Sequence, residues 1–156
     1  MFRQLFTFQR IAKSAFLFLL VLLIVSSVDY LYPKSKVDVI IDKKFYSELA
    51  GMNPVGRQWH LEKLHDKIIM ARGFVESFES VERYNRKYRI VVIDNESEII
   101  DVRFYIYTNE EDFREVLQKG DIFEFTGQFV VETPLNSKMD AYIFDVLLED
   151  GALVVQ

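Results

Sequence analysis

Residues 108–127 read TNEEDFREVLQKGDIFEFTG, and the fold is decided there: a capped helical stretch runs straight into a strand. Thr108 or Asn109 can cap the helix, Glu110, Glu111 and Asp112 sit at its positive end, and Gly120 is placed to end it. Phe113, Val116 and Leu117 fall at i, i+3 and i+4, which gives the helix one apolar stripe.

Working outward, three strand-like segments precede this helix and two follow. The first covers 68–78 with Gly73 inside it, where the lack of a side chain lets a strand bend. The second covers 88–93, and Asp94-Asn95-Glu96-Ser97 turns it into the third, 99–107. There Val102, Phe104 and Ile106 alternate with Arg103, Tyr105 and Tyr107, a period of two with one wet face. The fourth covers 122–131, with Phe123 and Phe125 inward and Gly127 at a bend. After a loop at 132–138 the fifth covers 140–148, where Tyr142, Phe144, Val146 and Leu148 share a face. Three strands, a helix between strands three and four, then two strands is the order of a mainly β, five-stranded Greek-key barrel, the OB-fold. Such barrels bind ligands on one known face, so the order says where a ligand would lie without naming it.

Upstream of the barrel, 37–41 reads as extended and 43–50 as a short helix ended by Gly51. Asn53-Pro54-Val55-Gly56 is a turn. Residues 57–66, RQWHLEKLHD, look helical, with Trp59 and either Leu61 or Leu64 facing inward.

Composition bounds the rest. The chain has 156 residues, fourteen Phe, eight Tyr and no Cys, which excludes disulfides, thiolate metal sites and cysteine nucleophiles. Charge is unevenly placed. Arg3, Arg10 and Lys13 precede the first acid, Asp29, whereas residues 30–156 hold 16 basic and 23 acidic side chains. A body this acidic repels polyanions, so nucleic acid is a poor general partner.

Residues 15–28, AFLFLLVLLIVSSV, are uninterruptedly small or apolar. With Ile11, Ala12 and the flanking Tyr30, Leu31 and Tyr32 the stretch approaches the roughly 20 residues that span a bilayer. Basic residues before it and Asp29 after it orient the N-terminus to the cytoplasm and the body outside. The expectation is a single-pass protein of the inner or cytoplasmic membrane. Its basic start covers 1–14, its signal anchor 15–32, a linker with short helices 33–66 and its periplasmic OB domain 67–156. A cleaved signal peptide ending near Val25-Ser26-Ser27 and a mitochondrial presequence are the alternative readings.

A single anchor, the Tyr30-Leu31-Tyr32-Pro33 exit and an extracytoplasmic barrel resemble the haem-chaperone family of cytochrome c maturation, over roughly residues 15–150. The shared residues are an early strand glycine, Gly120-Asp121 after the helix and Gly127 in strand four. The family attaches haem through a His with a Tyr four residues on, just after the last strand. Here Asp150 and Val154 occupy those places, so the resemblance implies fold and placement but no haem ligand. The chain is also similar to the broad group of small OB domains classed with anticodon-binding modules.

The candidate site is the loop between strands one and two with the strand 2–3 face: Arg83, Tyr84, Arg86, Lys87, Tyr88 and Arg89, extended by the outward Arg103, Tyr105 and Tyr107. Tyrosine rings offer stacking surface, and the cations would neutralise a phosphate or acidic sugar. Tyr and Arg are also the residues favoured at protein interfaces. The plain alternative is a solvated hairpin tip, its cations balanced by Glu76, Glu79 and Glu82. His60 and His65 are five apart, which does not suit a helical zinc pair, and no third neutral ligand accompanies them. Acid pairs such as Asp145 with Glu149 have no pocket to work in, and no nucleophile elbow or phosphate-cradling loop exists. The expected function is therefore a non-catalytic, membrane-anchored binding or assembly module for a protein partner, with no cofactor and no metal. The alternatives are an exported binder of an acidic oligosaccharide or nucleic acid, or a divergent haem carrier.

Overall fold

A computed structural model describes residues 36–94, 96–149 and the backbone of 153–155. The expected basic start at 1–14 and anchor at 15–32 lie outside the described residues, as does Asp150. No helix among the described residues is long and apolar enough to cross a membrane.

The chain is mainly β. Its elements in order are β1 (Val39–Ile40), α1 (Lys43–Ala50), α2 (Pro54–Glu62), β2 (Ile68–Arg83), β3 (Arg86–Asp94), β4 (Asp101–Thr108), α3 (Phe113–Val116), β5 (Ile122–Pro134), β6 (Ala141–Leu148) and β7 (Leu153–Val155). The sheet runs β1-β2-β3-β4-β6-β5-β7, and β2 also pairs with β5. Strands β2 to β6 therefore close into a ring whose order, with α3 between β4 and β5, is OB-like.

Closure depends on β2, which changes partner part-way. Residues 68–74 pair antiparallel with β5, from Ile68 opposite Gln128 to Phe74 opposite Ile122. Residues 74–83 pair with β3, starting from Phe74 opposite Ile93. Gly73 stands at the crossing because a side chain does not fit: a Cβ there would lie 2.5 Å from the Ile93 carbonyl oxygen. Gly127 meets the same limit on β5, 2.6 Å from the carbonyl oxygen of Leu147. The two-residue β1 lies parallel to β2 at Ile69 and Met70. There it shields an edge that would otherwise be bare.

Inside the ring, aromatic rings meet edge to face: Phe104 against Phe125 and Phe144, and Phe129 against Phe144. Ile69, Ile90, Val92, Ile106 and Val146 fill the space between. The helices upstream join this core through Phe45, Tyr46, Leu49, Leu61 and Leu64. The hydroxyl of buried Tyr46 donates to Asp94 at the end of β3. Burial raises the Asp94 carboxyl above the usual range, against the opposing pull of the Tyr46 hydrogen bond.

Arg57 fixes the corner between α1 and α2. It donates through Nε to the carbonyl oxygens of Leu49 and Met52, through Nη2 to Ala50 and through Nη1 to Met139 in the β5–β6 loop. A cation thus satisfies the free carbonyls at the end of α1. Asp42 caps the start of α1 by accepting from the backbone N–H groups of Lys44 and Phe45.

Several local expectations are corrected. The helix before β5 is only the four residues of α3, not a stretch from 109 to 119. Thr108 closes β4, and the backbone of Leu117 is already extended so that its side chain reaches the core. The chain is then held to β2 by reciprocal bonds of Gly120 and Asp121 with Val75. Val116 is exposed, so the apolar stripe is reduced to Phe113 and Leu117. The Asn53-Pro54 turn is the first turn of α2, with the Asn53 side chain as its cap. Trp59 points outward, because Leu61 and Leu64 both take the inward positions.

Candidate binding face

The β2–β3 hairpin ends in a two-residue turn, Tyr84-Asn85, closed by Arg83 opposite Arg86. Both turn residues have positive φ, 53° and 58°, the type I′ geometry that suits the twist of paired strands. Tyrosine is an unusual occupant of such a position, and its side chain shows what holds it. The ring folds back over the outer face of β4 and β6, and its hydroxyl donates to Asp145 Oδ2 at 2.8 Å. It lies edge-on to Tyr107 with centroids 5.0 Å apart. Arg83 Nη2 reaches the same carboxylate oxygen at 3.0 Å, and its guanidinium sits 4.7 Å from the centre of the Tyr84 ring.

Asp145, only 2% exposed, is thus clasped by the hairpin tip from across the sheet. Burial and the hydrogen bond to Asp145 push the Tyr84 phenol up to about 12. Burial likewise raises the phenol of Tyr107.

The strand register sorts the remaining candidates. Arg89 opposite Tyr107, and Val91 opposite Tyr105, lie on the outer face, and Tyr105 is opposite Asp145. Arg89 pairs with Glu79 and covers the Tyr105 ring at 4.2 Å. Arg103 lies 3.7 Å from Glu76. Tyr88 does not join them. The period of two turns it to the opposite side, where it packs on Phe78 with centroids 5.3 Å apart and Arg114 approaches it. A hydrogen bond to Glu111 raises its phenol. Arg86 and Lys87 stand at the tip beside an open recess of about 710 Å³, which Asn85 and Asn109 also line. The Lys87 N–H is fixed by the Asn109 side chain.

Tyr107 lies on the outer face, as expected, but is not exposed there: it is fully buried under Tyr84 and Arg83, because the hairpin curls over the strand face instead of standing away from it. Sequence reading also missed Asp145 as the centre of this arrangement. Its signal was an acid alone within the apolar run AYIFDVLL at 141–148, a place where a charge needs partners. The two histidines go elsewhere. His65 Nε2 contacts Glu132 Oε2 at 2.9 Å while its ring stacks on Phe129, and His60 leans on Phe45. No group of three or more metal-binding side chains occurs among the described residues.

Chemically the face is aromatic and hydrogen-bonded, and Arg83, Arg89 and Arg103 on it each meet a carboxylate. Among the described residues of this face, the cations outside these ion pairs are Arg86 and Lys87 at the tip.

No protein-family model matches the chain, and no curated protein matches it. Among solved structures it is similar to an OBody bound to hen egg-white lysozyme, with 16% identity over 69% of this chain and 92% of that one, at a TM-score of 0.38. It is similar to Entamoeba histolytica asparaginyl-tRNA synthetase, with 13% identity over 78% of this chain and TM-score 0.42. The same enzyme in complex with asparaginyl-adenylate gives 13% identity over 58% of this chain and TM-score 0.38. The chain spans only 24% and 21% of those two synthetase chains. A likeness at this level speaks to no residue, ligand or activity.

Proposed function

We propose that the chain is a non-catalytic binding module of the OB barrel type, anchored by its apolar N-terminal segment, with the barrel on the extracytoplasmic side, where it recognises a protein partner. The observation that carries this reading is the pairing of Arg83, Arg89 and Arg103 with Asp145, Glu79 and Glu76. A face built to hold a phosphate or acidic sugar keeps its cations available. This one pairs its three sheet-face arginines internally, leaves only Arg86 and Lys87 of its described cations at the tip, and presents tyrosine edges beside paired arginines, the composition of a protein interface. Anchoring raises the effective concentration of the barrel for a membrane partner.

The test is site-specific photo-crosslinking in intact cells. A photoreactive residue at Tyr105 is expected to trap one protein, and the same residue at Lys119, in the exposed turn between α3 and β5, is expected to trap none. The reading fails if the Tyr105 probe yields no protein adduct while the purified chain binds an acidic oligosaccharide or oligonucleotide with steep salt dependence. For 6–10 phosphate contacts, such binding weakens about 10³–10⁵-fold between 50 and 200 mM salt.

A further inference from the structure

Helix α2 presents Val55 and Trp59, four residues apart and so on one face, at 63% and 67% exposure. This face is held firmly. Leu61 anchors the opposite side of the helix in the core, and the four hydrogen bonds of Arg57 lock α2 against α1 and the β5–β6 loop. An aromatic rigidly displayed beside an apolar residue on one helix face forms a candidate contact surface.

We infer that the partner of this face is the lipid surface itself, with Trp59 and Val55 seated among the headgroups of the membrane that holds the anchor. The inference rests on the anchored reading above and adds how the body is oriented.

Three observations point to lipid. The first is reach. Three residues lie between Tyr32, at the end of the apolar segment, and Lys36, four steps or at most about 14 Å of extended chain. Asp38 and Val39, two and three residues after the described chain begins, line one recess with His60 of α2 and its C-cap Lys63. Trp59 therefore adjoins, in sequence, the wall of a recess that includes the first strand of the described chain. The second is charge. Residues 36–67 carry six basic and five acidic side chains, whereas residues 68–149 carry nine and seventeen. An anionic lipid surface repels the ring and tolerates the side that bears α2. The third is chemistry: an indole with an aliphatic neighbour is the pair that settles at the headgroup level, because one end of the ring is apolar and the other donates a hydrogen bond.

The experiment uses the full chain reconstituted into vesicles of phosphatidylcholine and phosphatidylglycerol, with and without lipid brominated at the headgroup end of its acyl chains. Trp59 is the single tryptophan of the chain, so its emission reports this face alone. The expected result is a blue-shifted emission that loses most of its intensity in brominated vesicles. Val55→Asp should restore red-shifted, unquenched emission while the protein still floats with the vesicles and melts as wild type does. Flotation with red-shifted, unquenched emission in the wild type overturns the inference and leaves the anchor standing. Failure to float overturns both. A blue shift without quenching that grows with protein density assigns the face to a second copy of the chain and also overturns it.

Discussion

Replacing Gly73 with alanine tests ring closure at its tightest point. The added methyl would stand 2.5 Å from the carbonyl oxygen of Ile93 and 2.7 Å from Val92 Cγ1. The valine can rotate, but the carbonyl belongs to the β2–β3 ladder and cannot. Restoring ordinary separations of about 3.5 Å requires β2 to retreat by about 1 Å. Pairing with Phe123 on the other edge opposes that retreat. Overpacking of this kind costs about 3 kcal/mol. At about 4 °C per kcal/mol for a unit of this size, Tm should fall by about 12 °C.

Near-UV circular dichroism of the full-length chain during heating reads this directly. Gly51→Ala is the control. Its φ of −71° is helical, and its added methyl would lie 3.5 Å from the Glu48 carbonyl oxygen, an ordinary contact. That change should leave Tm unchanged or raise it, since a Gly→Ala change at a compatible site stabilises by about 0.4–1 kcal/mol. A Gly73→Ala protein melting within about 2 °C of wild type, half the effect of a single kcal/mol, would refute the account of β2 crossing between two neighbours.

Two further predictions concern the clasp on Asp145. Asp145→Asn removes the charge that Arg83 and Tyr84 hold. Because Arg83 is half exposed and keeps its hydration, the loss should be modest, about 1–2 kcal/mol. The diagnostic change is faster tryptic cleavage at Arg83, Arg86 and Lys87, and an unaltered cleavage rate would sink the clasp. The second prediction is alkaline titration. The folded Tyr84 phenol at about 12 lies above its unfolded value of about 10, so the folded form binds the proton more tightly. The stability this gives is complete below pH 10 and is lost as pH rises through about 12. Absorbance of tyrosinate should show a late-ionising class that shifts to lower pH in Asp145→Asn. Ionisation of every tyrosine near pH 10 in the folded protein would contradict it.

The sequence carried the ring order because that order follows from local signals: alternation in 102–107, glycines at 73 and 127, and an acid-rich turn before 122. What it concealed depends on which of two apolar neighbours wins a position. Trp59 read as inward because tryptophan is usually buried, yet Leu61 on α2 and Leu64 just after it take the buried places. The stretch from 109 to 119 held helical spacing, but Leu117 was needed in the core, and extended backbone delivers it there after a single turn. Tyr107 read as outward, correctly for its strand. No pattern within the strand reveals that a hairpin more than twenty residues earlier bends over to cover it. Buried polar partnerships such as Asp145 with Arg83 and Tyr84 span 62 and 61 positions, beyond any periodicity argument. A lone acid in an apolar strand was their one visible trace.

The double partnership of β2 also governs the chain while it is being made. β3 follows β2 almost at once, so residues 74–83 find their neighbour early. Residues 68–74 wait for 122–128. A ribosome adding about 5–20 residues per second leaves that edge unfilled for roughly 3–10 s. An unfinished chain therefore displays a row of unpaired backbone groups along the apolar run IIMARGFV at 68–75, a template on which a second nascent copy can pair. Arg72 is the one charge in that run. In the finished molecule it is an exposed side chain pairing with Glu96 at 2.6 Å. In the unfinished one it is the gatekeeper that keeps neighbouring chains apart until the ring can close.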